Sequence, residues 1–202
     1  MIIAATKNKH KLEEMEHILK KFNIQLQSID AAGYSHVDVI EDGNTFEENS
    51  MKKAETIMQL SGKPVIADDS GLEVKALDGR PGVFSARYSG ENATDQDNNK
   101  KLLSELEGQK DRSAKFVSVI SLAFPDGKKI SVRGECNGTI GYAEKGSNGF
   151  GYDPLFVADD YGKTFAELDS EIKNTISHRA NALKKLKEVL DREKYFKEFI
   201  ND

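Results

Sequence analysis

The sequence is short of cysteine. Cys136 stands alone among 202 residues, so no disulfide can form within the chain, and a reducing, cytoplasmic setting is expected. Proline is scarce, 4 against 16 glycines. Hydrophobic residues at 38% and charged residues at 31% describe a folded, globular chain rather than a disordered one. No apolar stretch approaches the ~18 residues needed to cross a bilayer, and the start, Met1 to Lys7, lacks the basic opening and longer apolar run of a signal peptide. Excess positive charge is also missing. A net charge of −5 argues against a nucleic-acid partner and requires any polyanion to be met by locally gathered cations or a metal ion. Several motifs are absent. His10, His17 and His36 have no zinc-ligand spacing with Cys136 or with each other. No Gly-x-Ser-x-Gly elbow accompanies His178, and no Gly-Lys-Ser/Thr ending marks a P-loop. Without repeats or linkers, residues 1–202 are expected to form one domain.

What is present alternates between strands and helices. Ile2 to Ala5 reads as a strand, and Leu12, Met15, Leu19 and Phe22 recur at helical spacing. Ile24 and Leu26 suggest a second strand, and residues 31–44 a loop. Thr45 and Glu48 form a capping box for a helix that Gly62 and Pro64 stop near Ser61. Pro64 to Ala67 predicts a brief strand delivering Asp68-Asp69, with Leu72 to Ala76 again extended. A helix is predicted over Asp95 to Leu106, then strands over Lys115 to Phe124 and Lys129 to Asn137 joined by Pro125-Asp126-Gly127. This long hairpin is expected to face solvent in part or to carry a subunit contact. Ala180, Leu183, Leu186 and Leu190 line one face of a last helix. The mixture predicts an α/β fold with a long mixed sheet.

Four clusters could carry chemistry. Thr6-Lys7-Asn8-Lys9-His10-Lys11 opens the first helix, where unpaired N–H groups and the helix dipole favour phosphate; a basic, well-capped helix start fits it equally. Asp68-Asp69, followed by Ser70-Gly71, is an adjacent carboxylate pair whose repulsion a metal ion or lysine would relieve; a turn with capping aspartates is the alternative. In Gly149-Phe150-Gly151-Tyr152-Asp153-Pro154, Phe150 and Tyr152 could form an apolar or stacking wall for a base and Asp153 could accept from it, or the segment is a plain aromatic turn. Lys173 with Ser177-His178-Arg179 gathers cations near a helix start. Glu41-Asp42 and Lys52-Lys53 read locally as solvated charge.

Together these residues resemble the inosine triphosphate pyrophosphatase family. The motifs stand in family order over nearly the whole chain: Thr6-x-Asn8-x-x-Lys11; Glu41 followed by Thr45-Phe46 and Asn49 to Lys53-Ala54; Ala67-Asp68-Asp69-Ser70-Gly71-Leu72; Pro81 to Tyr88; Gly149 to Pro154; Lys173; and Ser177-His178-Arg179. Lys7 and His10 stand where members often carry glycine. The resemblance implies an elongated mixed sheet flanked by helices, with two lobes and a central active-site cleft. It implies a cytoplasmic homodimer, Mg²⁺, and hydrolysis of ITP, dITP and XTP to the monophosphate and pyrophosphate. On that pattern Glu41 and Asp69 hold the metal and Asp69, assisted by Asp68, acts as base. Thr6, Lys7, Asn8, Lys9, His10, Lys11, Lys53 and Ser70 handle phosphates, and Phe150, Gly151, Tyr152, Asp153, Lys173, His178 and Arg179 surround the base. Two other readings are a pyrimidine nucleotide pyrophosphatase and a nucleotide-binding module without turnover. A structural protein that uses the long hairpin is a third.

Overall fold

Successive residues of a strand point to opposite faces, and the opening strand β1, Ile2–Ala4, is buried on both. Ile2 and Ala4 enter one hydrophobic core and Ile3 and Ala5 another. Both faces therefore need helices over them. The structure, a computed structural model, describes residues 1–192. Its elements are β1, α1 (Lys9–Lys20), β2 (Leu26–Ser28), α2 (Phe46–Ser61), β3 (Val65–Val74), α3 (Asp95–Glu105), β4 (Ser113–Ala123), β5 (Lys129–Ile140), β6 (Phe156–Ala158), β7 (Lys163–Thr164), α4 (Ser170–Ile176) and α5 (His178–Arg192). The sheet order is β2-β1-β3-β4-β5-β6-β7. β1 is parallel to β2 and β3, whereas β6 is antiparallel to β5 and β7, so the sheet is mixed, as the sequence predicts.

The chain divides into two compact units. The first holds Met1–Asp69, Ser118–Gly134 and the residues from Arg179 onward; the second holds Ser70–Val117 and Glu135–His178. In the first unit, Met15, Ile18 and Leu19 of α1 and Ala180, Leu183, Leu186 and Leu190 of α5 cover one face of the sheet with Ile66, Ile120 and Leu122. On the other face Ala54 and Ile57 of α2 pack on Ile3, Val65, Ala67 and Ala123. Each fully buried Leu or Ile side chain contributes ~1.5–3 kcal/mol. The second unit has its own core around Leu72, Leu102, Phe116, Phe156 and Phe165.

The strands run further than the sequence predicts. β3 does not stop at the Asp pair. It continues through it to Val74 and then tightens into a 3-10 turn at Lys75–Leu77, where extended chain was expected. β5 reaches Ile140. β4 is buried on both faces and only β5 is half-exposed, so solvent meets one arm of the expected hairpin. The cap of α2 also differs. Thr45 accepts from Glu48 N as expected, but the Glu48 carboxylate takes the N–H of Asn44, one residue outside the box. β6, β7 and α4 are too short to leave a periodic signal. Among the described residues no helix is long and apolar enough to cross a membrane.

Candidate active site

In the first unit the candidate site centres on Asp68 and Asp69 of β3. Because β3 stays extended through Asp68 and Asp69, their side chains leave on opposite faces. Asp68, 1% exposed, points to the α1 and α5 side. Its Oδ1 accepts from Ser118 Oγ at 2.5 Å. Its Oδ2 accepts from Lys11 Nζ at 2.9 Å and Arg179 Nη2 at 3.1 Å. Arg179, equally buried, donates its other terminal nitrogen to Glu14. Burial works against charge on Asp68, but Arg179, Lys11 and Ser118 outweigh it and hold the carboxyl well below the usual carboxylate range.

Asp69 points to the α2 side. Its Oδ1 lies 3.5 Å from Lys53 Nζ, which Glu41 Oε2 also approaches to 2.9 Å. Its Oδ2 is buried and has no hydrogen-bond partner. Burial pushes the Asp69 pKa up to about 6; Lys53 and Lys11 pull against it, and the Glu41 and Asp68 charges add to it. Burial also opposes charge on Glu41. There Lys53 and Lys11 prevail and lower the pKa.

Glu41 reaches this place because α2 holds its loop. Gly43 N donates to Asn49 Oδ1 at 2.8 Å, and Asn44 N to Glu48 Oε2 at 2.7 Å. A Cβ on Gly43 would meet Asn49 Oδ1 at 2.7 Å and Glu48 Cβ at 2.8 Å, so glycine is required for the close approach.

At the start of α1, Asn8 caps the helix by accepting from Lys11 N at 3.1 Å, and Thr6 Oγ1 accepts from Asn8 N at 3.2 Å. The side chains proposed as a phosphate cradle thus also shape the helix start. Lys7 pairs with Asp38 at 2.5 Å, and Lys9 and His10 are exposed. Ser70 follows Asp69 in β3, half-buried, as the first residue of the second unit.

The second unit gathers the aromatic loop. Gly149 (φ +76°) and Gly151 (φ +61°) flank Phe150. A Cβ on Gly149 would lie 2.0 Å from Asp153 Oδ2. That oxygen accepts from Phe150 N at 2.9 Å and from Lys173 Nζ at 2.5 Å. The Lys173 ammonium sits 4.9 Å from the Phe150 ring centroid, and the residue is 5% exposed. His178 stacks on Phe116, centroids 4.7 Å apart at 16°.

Two placements differ from the sequence reading. Tyr152 is 5% exposed, belongs to the second core and donates its hydroxyl to Ser85 O at 2.8 Å, so its ring is committed to packing. Arg179 groups with Asp68 and Glu14 in the first unit, whereas it was expected among the base residues. Sequence reasoning also missed Glu14 and Ser118, and met Asn49 only as a member of the motif Asn49 to Lys53-Ala54. Of the two missed, Ser118 left a signal: it interrupts the apolar face formed by Phe116, Ile120 and Leu122. Among the described residues no three His, Cys, Asp or Glu side chains cluster as a metal site. Glu41 and Asp69 remain as a pair of hard oxygen donors around a cation.

Comparison with known proteins gives one consistent picture. The profile of the Ham1 family matches residues 2–189. The dITP/XTP pyrophosphatase of Desulfotalea psychrophila is 52% identical over 187 residues, 93% of this chain and 83% of that protein. The dITP/XTP pyrophosphatase of Clostridium perfringens is 50% identical over 196 residues, 93% and 96% of the two chains. Among solved structures, the Ham1 protein of Staphylococcus aureus superposes with a TM-score of 0.85 at 43% identity, covering 95% of this chain and 98% of that one. The nucleoside-triphosphatase / dITP/XTP pyrophosphatase of Mycobacterium abscessus gives 0.74 at 40% identity, covering 92% and 97%.

Proposed function

This chain belongs to the Ham1 family, and from that membership and the geometry of β3 we propose that it hydrolyses dITP, XTP and ITP to the nucleoside monophosphate and pyrophosphate. The observation that carries the reading is Asp69. It is a buried carboxylate with one unpartnered oxygen, on the opposite face from Asp68, with Lys53 and Glu41 beside it.

The residues present fit magnesium. Mg²⁺ takes a few hard oxygens from the protein and completes its shell with waters and substrate phosphates. Glu41 and Asp69 offer two such oxygens around Lys53, a cation already drawn to their combined charge. When bound, the ion would offset phosphate charge and polarise the phosphorus under attack.

Asp69 takes a proton from water as that water attacks the α-phosphorus. The bond from the α-phosphorus to the bridging oxygen breaks, and pyrophosphate leaves with both electrons. Lys53 and Lys11 offset the charge that builds on the departing oxygens. Asp68 does not share Asp69's face; it is the anion that orients Lys11. The N–H groups at the start of α1, with Thr6 and Asn8, favour the phosphate tail. In the second unit, Phe150 offers an apolar wall to the base, and Asp153, Lys173 and His178 set the polar pattern beside it. A buried donor aimed at the 6-position accepts a 6-oxo purine and is left unpaired against the amino group of adenine, which selects against ATP.

The family resemblance supports a homodimer acting on the cytoplasmic nucleotide pool; sedimentation at micromolar concentration tests the assembly. The activity is tested by a panel of dITP, XTP, ITP, ATP, GTP and pyrimidine triphosphates, with and without Mg²⁺, read by pyrophosphate release. We expect release from the first three in Mg²⁺. Orthophosphate as the first product, or binding with no turnover, would overturn the reading.

A further inference from the structure

Helix α3 buries two adjacent amides. Asn98 and Asn99 are 2% and 3% exposed, and with Leu102 they are the helix's buried residues. An amide removed from water costs free energy unless it is hydrogen-bonded, so such residues are explained by what they hold. Asn98 accepts from Ser89 N at 2.8 Å and donates to Ala86 O at 3.1 Å, which ties α3 to the segment after Pro81. Asn99 Nδ2 donates to Gly151 O at 3.2 Å and to Glu144 Oε1 at 2.8 Å. One helical turn earlier, Asp95 Oδ2 accepts from Gly151 N at 2.7 Å.

Both backbone polar groups of Gly151 are therefore gripped by side chains of one helix. The Asn99 amide has only one workable orientation, because turning it over would set its oxygen against the Glu144 carboxylate and the Gly151 carbonyl. Its Oδ1 stays buried without a hydrogen bond. A helix that needed only packing would gain from a leucine there. Gly151 adopts φ +61° and follows Phe150 directly, so the bond from Asp95 fixes the peptide that joins it to Phe150, and the bond from Asn99 fixes the peptide on its other side.

We infer that Asp95 and Asn99 are positioning residues for base recognition, holding Gly151 and through it Phe150 in the orientation that receives the purine. The inference rests on the proposed nucleotide reading and adds to it a helix that touches neither base nor phosphate.

The test compares Asp95→Ala, Asp95→Asn and Asn99→Ala with the unaltered protein. For each, kcat and KM are measured with dITP, together with inhibition by inorganic pyrophosphate, which has no base. Melting curves confirm folding. Asp95→Asn keeps an acceptor for Gly151 N while removing the charge. We expect KM for dITP to rise about tenfold in Asp95→Ala and Asn99→Ala, the loss of about one hydrogen bond's worth of positioning. Inhibition by pyrophosphate should be unchanged, and Asp95→Asn should restore KM. An unchanged KM in the folded variants overturns the inference, as does a parallel weakening of pyrophosphate inhibition, which would indicate general loosening. If Asn99→Ala fails to fold, Asp95→Ala, whose side chain is exposed, decides it. Unaltered protein that neither hydrolyses nor binds dITP would remove the nucleotide reading and this inference together. Unaltered protein that works, alongside an Asp95→Ala that works equally well, removes the inference alone.

Discussion

Asp68 and Asp69 leave β3 on opposite faces, and their surroundings give them opposite titration. Asp69 is raised to about 6 by burial and by the Glu41 and Asp68 charges, against Lys53 and Lys11. A carboxyl whose folded pKa exceeds its unfolded value destabilises the fold as pH rises through that interval. Asp69→Asn should therefore stabilise the metal-free protein by on the order of 2–3 kcal/mol above pH 6, with the gain fading toward pH 4. Turnover should fall by about 10²–10⁴-fold. Urea unfolding between pH 4.5 and 8, beside single-turnover assays, reads both; a variant that keeps its turnover would remove Asp69 from the chemistry. Asp68 has the reverse sign. Its pKa is depressed, so its contribution is complete above the ordinary carboxylate pKa and is lost as pH falls through the depressed folded value. Asp68→Asn leaves buried Arg179 short of its partner and should cost about 3–5 kcal/mol at pH 7. The penalty should shrink in acid. A pH-independent penalty would mean that packing rather than charge is lost.

At the scale of elements, α2 decides whether Glu41 can meet Asp69. Asn49 in its first turn receives Gly43 N and is 1% exposed. Removing a residue that orients a ligand usually costs 10–100-fold in metal affinity. Asn49→Ala should thus raise the Mg²⁺ concentration for half-maximal turnover about tenfold, with kcat at saturating Mg²⁺ nearly unchanged. A lowered kcat with the same Mg²⁺ dependence would place Asn49 elsewhere in the reaction. The helices were legible in the sequence for physical reasons. α1, α2 and α5 carry apolar residues at helical spacing, and Thr45 and Gly62 mark the ends of α2 with a hydroxyl cap and a left-handed glycine. β6, β7 and α4, of 3, 2 and 7 residues, hold too little of any period to be read alone; β1 and β2, no longer than β6, were read from apolar residues flanking the periodic helix α1. The site divides the same way. Asp68-Asp69 shows in sequence as an adjacent pair, but only the continuous strand reveals that the two side chains leave on opposite faces. Glu14 approaches Arg179 from 165 positions away, and no local pattern encodes a contact of that separation. Arg179 shows in sequence only as the neighbour of His178; its bonds to Asp68 and Glu14, 111 and 165 positions away, leave no local pattern.

For the molecule as a whole the problem is charge. A chain of net charge −5 must bind a polyanionic triphosphate, and its overall field opposes that encounter. The fold meets this locally. Lys11 and Lys53 are drawn to the β3 carboxylates and are only 16% and 12% exposed at the side chain. In the absence of metal these lysines are neutralised by Asp68, Asp69 and Glu41, so little positive charge is left to attract phosphate. A divalent ion on Glu41 and Asp69 would change that balance by releasing Lys53 from both. Substrate binding should therefore depend strongly on metal as well as on the base. A ligand that binds only the folded state at one hundred times its Kd adds about 2.7 kcal/mol, and for a chain of this size each kcal/mol moves Tm by roughly 2–4 °C. With Mg²⁺ and a dITP analogue carrying a non-hydrolysable α,β linkage, Tm should rise by about 5–10 °C. The same analogue with a chelator should give a small fraction of that shift, and Mg²⁺ alone an intermediate one. An equal shift with and without metal would mean that the lysines bind phosphate unaided, and the carboxylates of β3 would then need another explanation.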